Sequence, residues 1–337
     1  MRAFLIALLL LFGVIFVLTR ASEVQEIAAI LRRGDPRWIL LAFLVTAVWM
    51  WNVGTKLKSI FRALGVNEKA VPLSLIALGV NVVSAVTPSA GVGGIGYFMA
   101  RTRQRGHPLG RAASAAAMYL LFDYFAALAV VALALVVLLR RHQLGWGEVL
   151  AAVFLAGFAG VIAYLLLQAM RSAERFADAL AGLTRIANRL LQPIFQRDRF
   201  DIDRARRFAE DFSAGLEQAR RTPGGLVAPV ALALSNKALL LAVLFLVFMA
   251  FRQPASAGTV IAAFGIVSLF AVVSPTPGGL GFVEGAMTLV IAAAGIPLAS
   301  ATVITLAFRG ITFWFPLLLG FFALRWAERS SARPGPA

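Results

Sequence analysis

Cysteine is missing from the 337 residues, and only two histidines occur, His107 and His142. The first absence excludes disulfides, thiolate metal sites and a cysteine nucleophile. Both histidines fall in polar connections, so no histidine base or metal ligand stands in an apolar segment. Charge is scarce as well: 14% of residues are charged, where a soluble domain carries about 25%. Acids are the scarcer sign, 16 against 32 Lys and Arg. The basic excess lies in loops between apolar runs, a pattern of membrane topology rather than of a nucleic-acid partner.

What the chain has is apolar length. Sixty percent of residues are hydrophobic and the mean hydropathy is +0.84. Runs such as "AALAVVALALVVLL" and "ALLLAVLFLVFMAF" are nearly uncharged. In lipid, a helix can satisfy its own backbone over about 20 such residues. The expected fold is therefore all-α, a polytopic transmembrane bundle. Six full spans are read: the N-terminal run, taken as an uncleaved span rather than a signal peptide, then about 38–54, 109–139, 147–170, 226–251 and 298–324.

Two apolar regions do not fit that count. Residues 71–100 and 258–295 each carry a Pro/Gly break near the middle, "VTPSAGVGG" and "SPTPGGLGFVEG". The halves of the first are too short to cross. They read as re-entrant hairpins, whose irregular tips survive at membrane depth only inside protein or beside a wet cavity; the second could also be two short crossings. With hairpins that do not cross and a cytoplasmic N-terminus, inside segments hold 23 Lys and Arg and outside segments 7, as the positive-inside rule asks. A span, a hairpin and a span (38–139) then recur with opposite orientation at 226–324, an inverted repeat of the kind secondary transporters use.

One transmembrane domain, residues 1–330, is expected, with both termini cytoplasmic and residues 331–337 as a disordered tail. Residues 171–223 form a cytoplasmic insert with apolar residues at helical spacing, Phe208, Phe212, Leu216 and Ala219 among them. Its arginines suit either a solvated hairpin joining the halves or a surface facing anionic headgroups.

Four ionisable residues remain in apolar segments: Asp123, Glu284, Lys237 and Arg309. A charge at the centre of a span costs about 2.5–3.5 kcal/mol on insertion scales, so such residues pair or face water. A Glu284–Arg309 pair is expected near the second break. Lys237 could face the core or snorkel to the surface. The charges could be structural ion pairs, or a site beside two glycine-bared helix starts that attract anions. The candidate positions at the breaks are Asn81, Pro88, Gly91, Gly93 and Gly94 in the first half, and Pro275, Pro277, Gly278, Gly279 and Gly281 in the second. Close helix packing is the competing use for the glycines.

At these residues the chain resembles the lysylphosphatidylglycerol synthase transmembrane region family, flippase-like integral membrane proteins. "PTPGGLGFVEG", "AAGIPLASA" and "ITLAFRGITFWFP" carry the likeness, and with it Pro277, Gly278, Gly279, Gly281, Glu284 and Arg309. "NVVSAVTPSAGVGG" and "YLLFDYF" resemble the family's first break and its acid, here Asp123. The commoner first-half pattern adds an acid after the glycines and an arginine before the aspartate, where Ile95, Leu120 and Leu121 stand here.

The resemblance implies translocation of an anionic or aminoacylated phospholipid, or another polar lipid, across the cytoplasmic membrane. It implies no cofactor and no enzyme activity, since the soluble aminoacyltransferase domain of the full synthases is expected to be absent. The alternative is a non-catalytic scaffold for a separate lipid-modifying synthase. Intramembrane proteolysis is disfavoured, because neither a membrane histidine nor a second facing aspartate is available.

Overall fold

A computed structural model describes residues 29–322, except 31, 87–91, 142–145, 173, 175, 179–180, 183–184, 186–200, 223, 255 and 275. The expected first span and the C-terminal tail lie outside the described residues. Within them the chain is helical and has no strand.

Helix α1, Pro36–Ala63, begins with the Asp35 carboxylate accepting the Arg37 N–H, and with proline in its first turn, where a missing N–H costs nothing. It runs nine residues beyond the expected boundary at 54, because Val53, Leu57, Ile60 and Phe61 keep an apolar stripe at helical spacing and bury it. There follow α2 (Ala70–Val86), α3 (Val92–Gln104), α4 (Leu109–Arg140), α5 (Trp146–Arg171), α6 (Ile202–Arg221), α7 (Val227–Ala250) and α8 (Ala257–Val273). A single 3-10 turn, Pro277–Gly279, leads into α9 (Phe282–Ala293). Last comes α10 (Leu298–Arg309), which continues through a π-helical turn, Gly310–Trp314, to residue 322.

Five of these helices have the length and apolarity to cross a membrane: Pro36–Ala63, Leu109–Arg140, Ala152–Arg171, Val227–Ala250 and Leu298–Phe322. They match the five expected spans that fall in the described region. The helices of the two broken segments are shorter, 17 and 13 residues in the first and 17 and 12 in the second. At 1.5 Å per residue the longest reaches about 25 Å, short of a hydrocarbon core of about 30 Å.

Polar contacts fix which way each broken segment opens. Glu68, just ahead of α2, accepts from Arg105 at 2.7 and 3.1 Å and meets His107 at 2.7 Å, just beyond α3. Both ends of the α2–α3 hairpin therefore lie together. Near them, Ser114 at the start of α4 donates to the Phe212 carbonyl of α6 at 2.8 Å. The other hairpin opens at the opposite end of the bundle. Arg141, just past α4, donates to Ser256 and Thr259 at the start of α8, and Gln253 donates to Ser300, a few residues after α9. Since α4 is 32 residues long, about 48 Å, the two mouths are a membrane's thickness apart.

The halves are related by this inversion. Helices α1 and α7 pack antiparallel along the seam, with the Asp35 N–H on the Ala250 carbonyl at 2.8 Å. Asn52 of α1 donates to Asn236 of α7 at 2.9 Å, with both side chains buried. Helix α4 packs on α8, where a Cβ on Gly265 would strike Ala134; α10 packs on α2, where one on Gly320 would strike Val82 and the Leu78 carbonyl. Each half thus lays its last span on the other half's hairpin. The two largest core clusters follow the halves, one from α7–α10 joined by Ala42 of α1 and Val130 of α4, and another centred on α1–α4 and α6, while two smaller ones join α4 to α8. Leu150, Val153, Phe154 and Val161 of α5 remain exposed, as a lipid-facing stripe requires.

The insert places α6 against α4, with Ala209, Phe212, Leu216 and Ala219 buried and Phe176 stacked on Phe212 at 5.2 Å. Gly110 permits this crossing, since a Cβ there would stand 2.5 Å from the Phe208 carbonyl oxygen. The rest of the expected first insert helix lies largely outside the described residues.

Candidate functional site

Two charge clusters form inside the bundle. In the first, Asp123 of α4 is bridged by two lysines, one from each half. Lys56 Nζ of α1 lies 3.0 Å from Oδ1, and Lys237 Nζ of α7 lies 2.9 Å from Oδ2. Lys56 is wholly buried, whereas Lys237 keeps 14% of its side chain exposed and Asp123 30%. The Lys56 ammonium also stands 3.7 Å from the centre of the Tyr119 ring, a cation–π contact that partly replaces lost water. One turn earlier on α1, Asn52 donates to Ser235 and Asn236, so a polar spine runs along the α1–α7 seam.

Sequence reasoning missed Lys56, which it placed in the loop after a span ending at 54. The signal was the apolar stripe that continues through Val53, Leu57 and Ile60, with Lys56 on its flank. Lys237 resolves as a half-buried partner of Asp123.

The second cluster ties the tip of the second hairpin. Arg309 Nε donates to Glu284 Oε1 at 2.6 Å, so the expected pair forms. The same guanidinium donates to the Gly278 carbonyl at 2.7 Å and lies 4.2 Å over the Phe313 ring. Glu284 Oε2 in turn accepts the Gly281 N–H at 2.7 Å, capping α9. Gly278 and Gly281 hold φ of 63° and 79°, a left-handed region that suits glycine. The π-helical turn directly follows Arg309, and such turns are frequent at functional sites. This helix start is therefore partly filled by the protein's own carboxylate, where an external anion had been the expectation.

Gly279 lies within the 3-10 turn that Pro277 begins. In the first half, Gly93 and Gly94 are in the first turn of α3, and a Cβ on Gly94 would collide with Ser84 of α2, a close-packing use of glycine. Asn81 of α2 lines a cavity of about 150 Å³ together with Trp49, Val53, Leu57, Gly94 and Tyr119. Tyr119 thus faces both this cavity and Lys56. Pro88, Gly91 and Pro275 lie outside the described residues. The structure thus brings Asp123 together with Lys237, and Glu284 with Arg309, Gly278 and Gly281; the two clusters share no residue.

The fold and its charge clusters, one at the α1–α7 seam and one at the second hairpin's tip, define a multi-pass helical membrane bundle of two inverted halves, each with a broken hairpin. The chain belongs to the family described as the lysylphosphatidylglycerol synthase TM region, whose model matches residues 4–320. No curated relative matches it. Membership makes it a membrane protein of lipid-related function, in a family whose region is commonly a non-catalytic, flippase-like domain.

Proposed function

We propose that this protein moves an anionic or aminoacylated phospholipid, or another polar lipid, between the leaflets of the cytoplasmic membrane, with both termini cytoplasmic. The observation that supports this best is the pair of broken hairpins opening at opposite ends of the bundle around a charged seam. Such an arrangement can present one site to either side by rocking one half on the other, without building two sites. The headgroup would pass along the polar spine of Asn52, Asn236, Lys237 and Asp123, while acyl chains stay in the bilayer. Cofactor chemistry is not needed for that work.

The test is reconstitution into liposomes carrying headgroup-labelled phosphatidylglycerol or its aminoacylated form, followed by quenching of the outer leaflet. Protein-dependent loss of protection of either lipid is expected. Unchanged leaflet distribution for every anionic and aminoacylated lipid would defeat the proposal. The alternative, a scaffold for a separate synthase, would act through the insert. However, α6 spends its apolar face on α4 and α5, which leaves mainly its charged side for a partner. Deleting the insert would abolish a scaffold's function while leaving some transport.

A further inference from the structure

The seam site carries more positive than negative charge, and that imbalance bears on which cargo it accepts. Lys56 and Lys237 face a single carboxylate, Asp123, and each of its oxygens is already taken by one of them. Glu284, the other acid of the apolar segments, is engaged by Arg309 and by the Gly281 N–H. Among the side chains described in the spans, no buried carboxylate is left over to receive a cationic headgroup. The excess of one positive charge is carried by side chains that are wholly (Lys56) or largely (Lys237) shielded, and shielded ions need a compensating partner.

We infer that the Lys56–Asp123–Lys237 site selects a phosphate-type monoanionic headgroup and rejects a headgroup of net positive charge. This deepens the proposed transport reading and rests on it for the word cargo. Lys237 supplies the contact. Its ammonium has three donors, of which Asp123 Oδ2 takes one, and its side chain is not sealed off as that of Lys56 is. Lys56 acts through space, because its charge cannot reorient toward water. The cavity beside it is walled by Trp49, Val53, Leu57 and Tyr119, with Asn81 as a polar group, and suits the less polar part of a lipid next to the phosphate. A cationic aminoacyl headgroup would meet the same excess as repulsion. At the separations of neighbouring buried groups, one unit of charge is worth tenfold or more in affinity.

The experiment compares lipids retained by the purified full chain in nanodiscs of phosphatidylcholine with equal small fractions of phosphatidylglycerol and lysylphosphatidylglycerol, read by native mass spectrometry. At least tenfold preference for phosphatidylglycerol is expected. Lys237→Gln leaves a neutral Lys56–Asp123 pair and should reduce the preference to about twofold. Equal or better retention of the lysyl lipid by the unaltered protein overturns the inference, and that comparison needs no variant to fold. A tenfold preference that persists in folded Lys237→Gln overturns it too. Inorganic phosphate should not displace the lipid. Displacement would assign the site to free phosphate and overturn lipid selection. Retention is read apart from movement: selective binding without leaflet exchange sinks the transport reading alone, and exchange without selectivity sinks this inference alone.

Discussion

Replacing Asp123 by asparagine should be the most damaging single-atom change in the bundle. The carboxylate sits 3.0 Å from Lys56 and 2.9 Å from Lys237. At an effective dielectric of about 20, each contact holds about 5 kcal/mol of raw Coulomb attraction, most of which offsets the cost of taking the ions out of water. Removing the acid leaves that cost uncompensated on two lysines, and breaking a buried pair in this way costs about 3–5 kcal/mol. Because 30% of the Asp123 side chain is exposed, solvent screens part of the loss, and the lower end, about 3 kcal/mol, is the expected value. Lys56→Met should cost far less, since the Asp123–Lys237 pair survives and an apolar chain replaces a wholly buried ammonium. The assay is reversible unfolding of the purified protein in mixed micelles, arranged as a double-mutant cycle. Lys56→Met in the Asp123→Asn background should then restore part of the loss. Destabilisation of Asp123→Asn below about 1 kcal/mol, or strict additivity in the cycle, would refute the reasoning.

Three further expectations concern the supports of the site. Gly278→Val combines a left-handed φ of 63° with a Cβ 2.7 Å from the Phe313 ring; it should cost about 1–3 kcal/mol in the same unfolding assay, and adding Phe313→Ala should recover some of it. Gly110→Val would place a side chain against the α6 backbone and should undock that helix, seen as faster proteolysis within residues 202–221. Glu68 lies outside the spans, and its hydrogen bonds from Arg105, with His107 beside it, hold its carboxyl down to about 2. A lowered folded-state value means stability that is present above the usual carboxylate range near 4.5 and is lost as pH falls toward about 2. Glu68→Gln should flatten the acid limb of the melting profile in that window, and an unchanged limb would contradict this.

Much of the fold was legible because lipid imposes few choices. Uncharged runs of about 20 residues can only be spans, and Pro/Gly breaks in apolar segments can only be tips or loops. The Glu284–Arg309 pair followed from scarcity, since few ionisable residues stood near the second break. Lys56 was not legible in the same way. A lysine after "NVGT" reads as the end of a span, and only Asp123, 67 residues away, makes its burial tolerable. The Asn52–Asn236 bond was hidden for the same reason, because it depends on how α1 and α7 face each other. A bared helix start does draw a carboxylate, but the chain supplies its own in Glu284.

The central claim is that the two hairpins open at opposite faces of the membrane, and the lack of native cysteine allows a direct test. Single cysteines at Lys69 and Gln104 should react with an impermeant thiol reagent from one side only, and those at Ala257 and Ala294 only from the other. If the two ends of either hairpin label from opposite sides, or if both hairpins label from the same side, the inverted architecture and the transport reading built on it are contradicted.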